Sequence, residues 1–268
     1  MPHAPGTGLA QRRQGAAMFP EERRASIQAM IDEVGRVTVS DVAQRLGITE
    51  DLVRRDLKQL ADEGRCQRVW GGATRVENVS ERAMSARLTR EAPEKLAIAR
   101  KALALLAPGQ TVYLDMSSTC VHLAGLIHDA GLELTVVTPM VAVLATLMDA
   151  ERVTTLCCGG TLRPQMRGLL GSLTTETLSH FRFDVALMGA YGVDAETGEV
   201  STFDAEDGLL KQCAMGRASK TYLLCESRKF SAFGSWRYAD LPDFDALVTD
   251  GANEWACERV RALGCDVL

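Results

Sequence analysis

What this 268-residue chain lacks narrows its class first. No apolar run approaches the ~20 residues needed to cross a bilayer as a helix. Residues 1–19 are mostly Gly, Ala, Pro, Gln and Arg, and hold no apolar stretch of the secretory kind. A cytoplasmic protein without a membrane partner is therefore expected. The eight cysteines, Cys66, Cys120, Cys157, Cys158, Cys213, Cys225, Cys257 and Cys265, form no C-x-x-C pair, and no histidine stands at zinc-like spacing from them. They read as reduced, buried, small apolar residues, and neither a metal nor a cofactor is expected. A net charge of −5 argues against a protein that coats nucleic acid nonspecifically.

The charge is unevenly spread. Residues 1–75 carry 12 Lys and Arg against 10 Asp and Glu, and the remainder 18 against 25, so the basic excess lies in the N-terminal quarter. Composition is otherwise that of a globular protein, with 46% hydrophobic residues to build a core, and the length suits one large or two medium domains.

The stretch Val37–Ala73 reads VTVSDVAQRLGITEDLVRRDLKQLADEGRCQRVWGGA. A helix Pro20–Val34, with Ile27, Met30, Ile31 and Val34 at helical spacing, precedes it. Ser40 is placed to cap a helix Asp41–Leu46, with Val42, Ala43 and Leu46 inward. Gly47 makes the turn, where positive φ is wanted. Thr49 caps a second helix, Glu50–Ala61, with Leu52, Val53, Leu57 and Leu60 inward. This is the pattern of a helix-turn-helix, whose second helix enters the major groove N-terminus first. Its outward face is Glu50, Asp51, Arg54, Arg55 and Lys58, so Thr49–Arg55 is expected to meet base edges, with Lys58 on phosphate. As a plain solvated face, the same charges would pair Glu50 with Arg54 and Asp51 with Arg55. After Gly64, the run Arg65–Trp70 and the Gly71-Gly72 reversal suggest a β-hairpin wing carrying Arg65 and Arg68 along the DNA backbone.

From residue 93 onward short apolar strands alternate with amphipathic helices. Strands are expected at Thr111–Leu114, Leu134–Val137, Val153–Cys158, Asp184–Met188, Thr221–Cys225 and Ala246–Thr249, with Cys265–Leu268 closing the set. That order means an α/β domain, a parallel sheet covered on both faces, with ligands bound outside the carboxyl ends of the strands. Four loops follow those ends: Asp115-Met116-Ser117-Ser118-Thr119, Gly159-Gly160-Thr161, Gly189-Ala190-Tyr191-Gly192 and Glu226-Ser227-Arg228-Lys229. Asp204, Glu206 and Lys211 open the helix Asp204–Ala218. Together they supply acids for sugar hydroxyls, lysines and a hydroxyl-bearing helix start for phosphate, and small residues for close approach.

The expected organisation is a disordered leader over 1–19, in which Met18 is an alternative start, a winged helix-turn-helix DNA-binding domain over 20–75, a linker over 76–92, and an effector-binding domain over 93–268.

These residues resemble the DeoR family of bacterial transcription regulators over nearly the whole chain. The carriers are ERR at Glu22–Arg24, the helix-turn-helix with RRDL at Arg54–Leu57, WGGA at Trp70–Ala73, EKLAIAR at Glu94–Arg100, LDMSST at Leu114–Thr119, LTVVT at Leu134–Thr138, GGTLRP at Gly159–Pro164 and ESRKF at Glu226–Phe230. The resemblance implies a winged helix-turn-helix joined to a three-layer Rossmann-like domain related to ribose-5-phosphate isomerase. It implies a homodimer or homotetramer on double-stranded operator DNA, repressing a carbohydrate catabolic operon and released by a phosphorylated sugar or related metabolite. It places the effector on Asp115, Ser117, Ser118, Thr119, Gly160, Thr161, Gly189, Tyr191, Asp204, Glu206, Lys211 and Lys229. Three positions depart from the family pattern. Ser117 stands where Gly is common, Tyr191 where an acid is frequent, and Leu209 where Glu is common. An active isomerase would need two carboxylates where Met188 and Tyr191 stand, so catalysis is not expected.

Overall fold

The structure, a computed structural model, describes residues 19–34, 36–63, 65–69, 71–75, 84–89 and 92–268. Residues 1–18 of the expected leader, most of the expected linker, and Gly35, Gly64 and Trp70 lie outside the described residues. The chain divides into two compact units, Met1–Val76 and Glu77–Leu268.

In the first unit α1 (Pro20–Val34), β1 (Arg36–Thr38), α2 (Val39–Leu46) and α3 (Glu50–Asp62) precede a hairpin of β2 (Cys66–Val69) and β3 (Gly72–Arg75). The strands form an antiparallel sheet in the order β1-β3-β2. Ile27, Ile31, Val42, Val53, Leu57 and Leu60 close the core, while Val34, in the last turn of α1, is exposed. Gly47 adopts φ 65°, the left-handed turn between α2 and α3. The cap of α2 differs from expectation. Thr38, not Ser40, accepts the Asp41 N–H, at 3.1 Å, so Ser40 lies inside the first turn, exposed. Thr38 ends β1 in the extended conformation an N-cap requires, which the residue two positions on, already helical, cannot adopt. Thr49 caps α3 as expected, accepting from Leu52 at 3.4 Å. Beneath these helices Arg23 donates to both Asp56 oxygens, at 2.5 and 3.1 Å, with both residues buried.

The second unit opens with α4 (Met84–Thr89) and α5 (Ala92–Leu103). Then come β4 (Thr111–Leu114), α6 (Ser118–Ala130), β5 (Leu134–Thr138), α7 (Val141–Thr146), β6 (Val153–Cys157), the hairpin β7 (Thr161–Arg163) and β8 (Gly168–Leu170), α8 (Ser172–Ser179) and β9 (Phe183–Gly189). The remainder is β10 (Gly192–Val193), β11 (Glu199–Thr202), α9 (Ala205–Gly216), β12 (Ala218–Leu224), β13 (Trp236–Asp240), β14 (Ala246–Val248), α10 (Glu254–Ala262) and β15 (Asp266–Val267).

Seven strands form one parallel sheet in the order β15-β14-β12-β9-β4-β5-β6. Val112, Tyr113 and Leu114 are all fully buried, so helices cover both faces of the central strand, giving three layers. From β4 the chain steps to β5 and β6 on one side, then returns to β9 on the other. The strand order therefore reverses between β4 and β9, and a crevice is expected outside their carboxyl ends. A second antiparallel sheet, β10-β11-β13, lies outside the expected alternation, as does the β7–β8 hairpin. Six cysteines are buried as expected, but Cys213 is only partly covered and Cys157 is exposed, because it ends the edge strand β6. Among the described residues no helix is long and apolar enough to cross a membrane.

Candidate functional site

Asp115 follows β4 and is fully buried at the reversal point of the sheet. Its Oδ2 accepts the backbone N–H of Gly189, the last residue of β9, at 2.7 Å. That approach needs a glycine: a Cβ there would stand 2.4 Å from Ser117 Cβ. The same Oδ2 accepts from Lys211 Nζ of α9. One turn earlier on α9, Asp207 Oδ1 stands 3.2 Å from that ammonium, and its Oδ2 accepts from Thr202 Oγ1 at 2.6 Å. Burial lowers the Lys211 pKa, but Asp115 and Asp207 outweigh it and hold it above the ordinary lysine value. Burial pushes the Asp207 carboxyl up against the opposing pull of Lys211, because two carboxylates share one ammonium. Tyr238 completes this layer, its hydroxyl donating to Gly189 O at 2.8 Å and its ring centre 5.7 Å from Lys211 Nζ.

A small cavity opens over this cluster, with Ser117, Gly189, Tyr191, Asp207 and Lys211 in its wall. Ser117 caps α6 by accepting from Cys120 at 3.1 Å, and the Tyr191 ring stands edge-on to Phe203 at 5.4 Å. Ser118 and Thr119 are buried in the first turn of α6, where Thr119 Oγ1 has no hydrogen-bond partner among the described residues. Lys229 supports the β9 loop from behind, donating to Ala190 O at 2.8 Å, with Glu226 3.9 Å away.

Of the expected effector residues, Ser117, Gly189, Tyr191 and Lys211 line this cavity, Asp115, Ser118, Thr119 and Lys229 are buried next to lining residues without lining it, and four others sit elsewhere. Gly160 and Thr161 are exposed, Thr161 on β7, and neither lines this cavity. Asp204 caps α9 by accepting the Asp207 N–H at 2.9 Å, and exposed Glu206 pairs with Arg163 at 2.8 Å. Residues at the start of a helix are drawn into capping and surface pairing, which the spacing alone did not separate from a ligand-facing role. Asp207 was missed although it stands four residues before Lys211, one turn away on the same face. Arg87, Thr202 and Phe203 also line the cavity, and no local signal marked them.

In the first unit the outer face of α3 is exposed at Glu50, Asp51, Arg54, Arg55 and Lys58. Arg54 takes both carboxylates, Glu50 at 2.6 Å and Asp51 at 2.9 Å, so the expected Asp51–Arg55 pair does not form. On the hairpin Arg68 is exposed, and Arg65 stands 3.6 Å from Glu63.

Two family descriptions match the chain, the DeoR-like helix-turn-helix domain over residues 23–79 and the DeoR C terminal sensor domain over residues 90–251. The chain belongs to the DeoR family. As a DeoR-family member it is a DNA-binding transcription regulator rather than an enzyme. It is 30% identical to the HTH-type transcriptional repressor GlcR of Bacillus subtilis (strain 168), over 94% of this chain and 96% of that protein. It is 28% identical to the lactose phosphotransferase system repressor of Lactococcus lactis subsp. lactis, over 87% of this chain and 92% of that one. Among solved structures, ribose 5-phosphate isomerase A from Methanocaldococcus jannaschii is 17% identical with a TM-score of 0.37, covering 50% of this chain and 52% of that one.

Proposed function

We propose that this DeoR-family regulator represses a carbohydrate catabolic operon and leaves its operator when a phosphorylated sugar or related metabolite occupies the cavity beside Asp115. In this reading residues 20–75 are the DNA-binding domain and residues 93–268 the effector-binding domain. The observation that carries the second half is the buried Asp115–Lys211–Asp207 cluster at the reversal point of the sheet. Burying three ionisable groups costs several kcal/mol each before pairing, so an arrangement that opens onto a cavity suits ligand recognition better than stability. The carboxylates suit sugar hydroxyls, and Ser117 at the start of α6 suits an anionic group. The names of relatives, a transcriptional repressor and a lactose phosphotransferase system repressor, support the sugar-responsive reading.

For the first half, Thr49, Glu50, Asp51, Arg54 and Arg55 on α3 read bases, with Ser40, Lys58, Arg65 and Arg68 on the DNA backbone. A homodimer or homotetramer places two such helices on repeated half-sites. The protein acts in the cytoplasm. A thermal-shift screen of sugar monophosphates, polyol phosphates and their parent compounds tests the effector reading, because a ligand bound only to the folded protein raises its melting temperature. Stabilisation by a phosphorylated sugar that Asp115→Asn abolishes is the expected result. A screen without any hit refutes it.

A further inference from the structure

One wall of the cavity does not come from the strand ends. The helix α4 is the first described element of the chain after β3, and it lies near the start of the second unit. Met84 anchors it, 1% exposed in the core, with its N–H donating to Gln165 O at 3.0 Å. Lys95 holds its other end, donating to Arg87 O at 2.6 Å, with Glu226 Oε2 3.6 Å away. Three residues after Met84, Arg87 lines the same cavity as Ser117, Gly189, Asp207 and Lys211.

The Arg87 guanidinium is underused. Its buried Nε has no hydrogen-bond partner among the described residues, and one terminal nitrogen donates to Met84 Sδ, at 3.4 Å. Among the described residues it has no carboxylate at ion-pair distance. Lys211, by contrast, is already held by two carboxylates and Lys229 by the Ala190 carbonyl. Burial lowers the Arg87 pKa, and Arg228 acts in the same direction, while Asp207, Glu226 and Asp115 offset part of the effect from a distance. A desolvated guanidinium with donors to spare, facing a cavity, is the complement of an anion, and its planar fork suits phosphate.

We propose that Arg87 binds the phosphate group of the effector, and that this contact fixes α4, so that occupancy of the cavity is felt in the segment leading to the DNA-reading unit. The inference rests on the effector reading of the cavity. Asp207, in the cavity wall, then faces the sugar hydroxyls, and Asp115 holds Lys211 in place. An uncharged sugar leaves Arg87 unsatisfied and α4 as it was, so the phosphate is what makes the ligand a signal.

The test uses the full chain as wild type, Arg87→Ala, Arg87→Lys and Lys211→Met. Pentose and hexose monophosphates, the unphosphorylated sugars and inorganic phosphate are titrated by calorimetry. Amide hydrogen exchange is followed across residues 84–89. Expected are binding of a monophosphate ester well above its parent sugar, weakening by about ten- to a hundredfold in Arg87→Ala, and an intermediate value in Arg87→Lys. Ligand slows exchange in α4 of the wild type and not of Arg87→Ala. The unliganded melting temperature of each variant reports folding, and Arg87→Lys carries the test if Arg87→Ala unfolds. Wild-type affinity in Arg87→Ala together with loss in Lys211→Met overturns this inference and leaves the cavity reading standing. Unchanged binding in both, or no monophosphate bound by the wild type, overturns both readings. Inorganic phosphate binding as tightly as any ester overturns the sugar ester as the ligand.

Discussion

Asp115 Oδ2 accepts the Gly189 N–H at 2.7 Å, joining the ends of β4 and β9 at the point where strand order reverses. The contact depends on the missing side chain, since a Cβ on residue 189 would press on Ser117. Gly189→Ala is therefore expected to lose ~1–3 kcal/mol of stability through overpacking, and to lose ligand stabilisation as well. Gly125→Ala is the control. Nothing lies within 4 Å of its Cβ position in the helix α6, so it should gain about 0.4–1 kcal/mol. Urea unfolding of both variants gives the comparison, and equal effects would contradict the packing argument.

The ERR and RRDL motifs meet in the fold, because Arg23 belongs to one and Asp56 to the other. Asp56 lies on the buried side of α3, and its carboxylate raises the Arg23 pKa by direct hydrogen bonding, against the desolvation that lowers it. Asp56→Ala removes the carboxylate paired with a buried guanidinium and should cost ~3–5 kcal/mol. Arg23→Met with Asp56→Leu, which removes both charges, should cost much less. Chemical denaturation followed by signals from residues 20–75 checks the order.

Arg54 and Arg55 are adjacent but differ in the free protein. Arg54 is engaged by Glu50 and Asp51, whereas Arg55 is exposed and has no such pair among the described residues. Arg55→Ala should weaken binding to a selected duplex by ~1–3 kcal/mol, and by more than Arg54→Ala does. Lys58→Ala should lower the salt dependence by about one phosphate contact with little change in sequence preference. Fluorescence anisotropy over a salt series measures both. Unchanged affinity in the Arg54→Ala, Arg55→Ala double variant would remove α3 from the DNA interface.

Burial pushes the Glu226 pKa up, but Lys229, Arg228 and Lys95 together bring it below the ordinary glutamate value of 4.5. A carboxyl depressed in the folded state contributes stability that is complete above 4.5 and is lost as pH falls through its lower folded value. Glu226→Gln should therefore be less stable than wild type at neutral pH, and the difference should shrink as the solution is acidified from about pH 6 to about pH 3. Urea midpoints for both proteins across that range decide it. A constant difference would show that the charge of Glu226 is not what matters.

The legible parts of this protein were those set by local chemistry. Gly47, the Thr49 cap and the inward Val53, Leu57 and Leu60 follow from spacing and φ preference, and so does the alternation of strands and helices. Asp115 and Lys211 were legible as residue types at strand and helix ends, though 96 residues separate them. Asp204 and Glu206 were drawn from the same stretch, but helix geometry gives one to capping and the other to Arg163, and turns Asp207 inward instead. Thr38 displaced Ser40 as cap because β1 ends there. The β10-β11-β13 sheet was not legible, since its two- to five-residue strands carry no periodic run of their own and β13 joins β11 only after α9 and β12 have intervened. Arg87 lay hidden for a related reason: its polar surroundings read as linker, and only the placement of Met84 and Lys95 brings it to the cavity.

In this reading, cavity occupancy and DNA binding oppose each other through one protein. The most direct measurement is the affinity of the full chain for a selected duplex, with and without a saturating sugar monophosphate found by thermal shift, repeated as ligand affinity with and without the duplex. Linkage requires the two factors to be equal, typically about 5–150-fold for such coupling. Weakening by one common factor in both directions, lost in Asp115→Asn, is the expected result. A ligand that stabilises the protein yet leaves duplex affinity unchanged would contradict it.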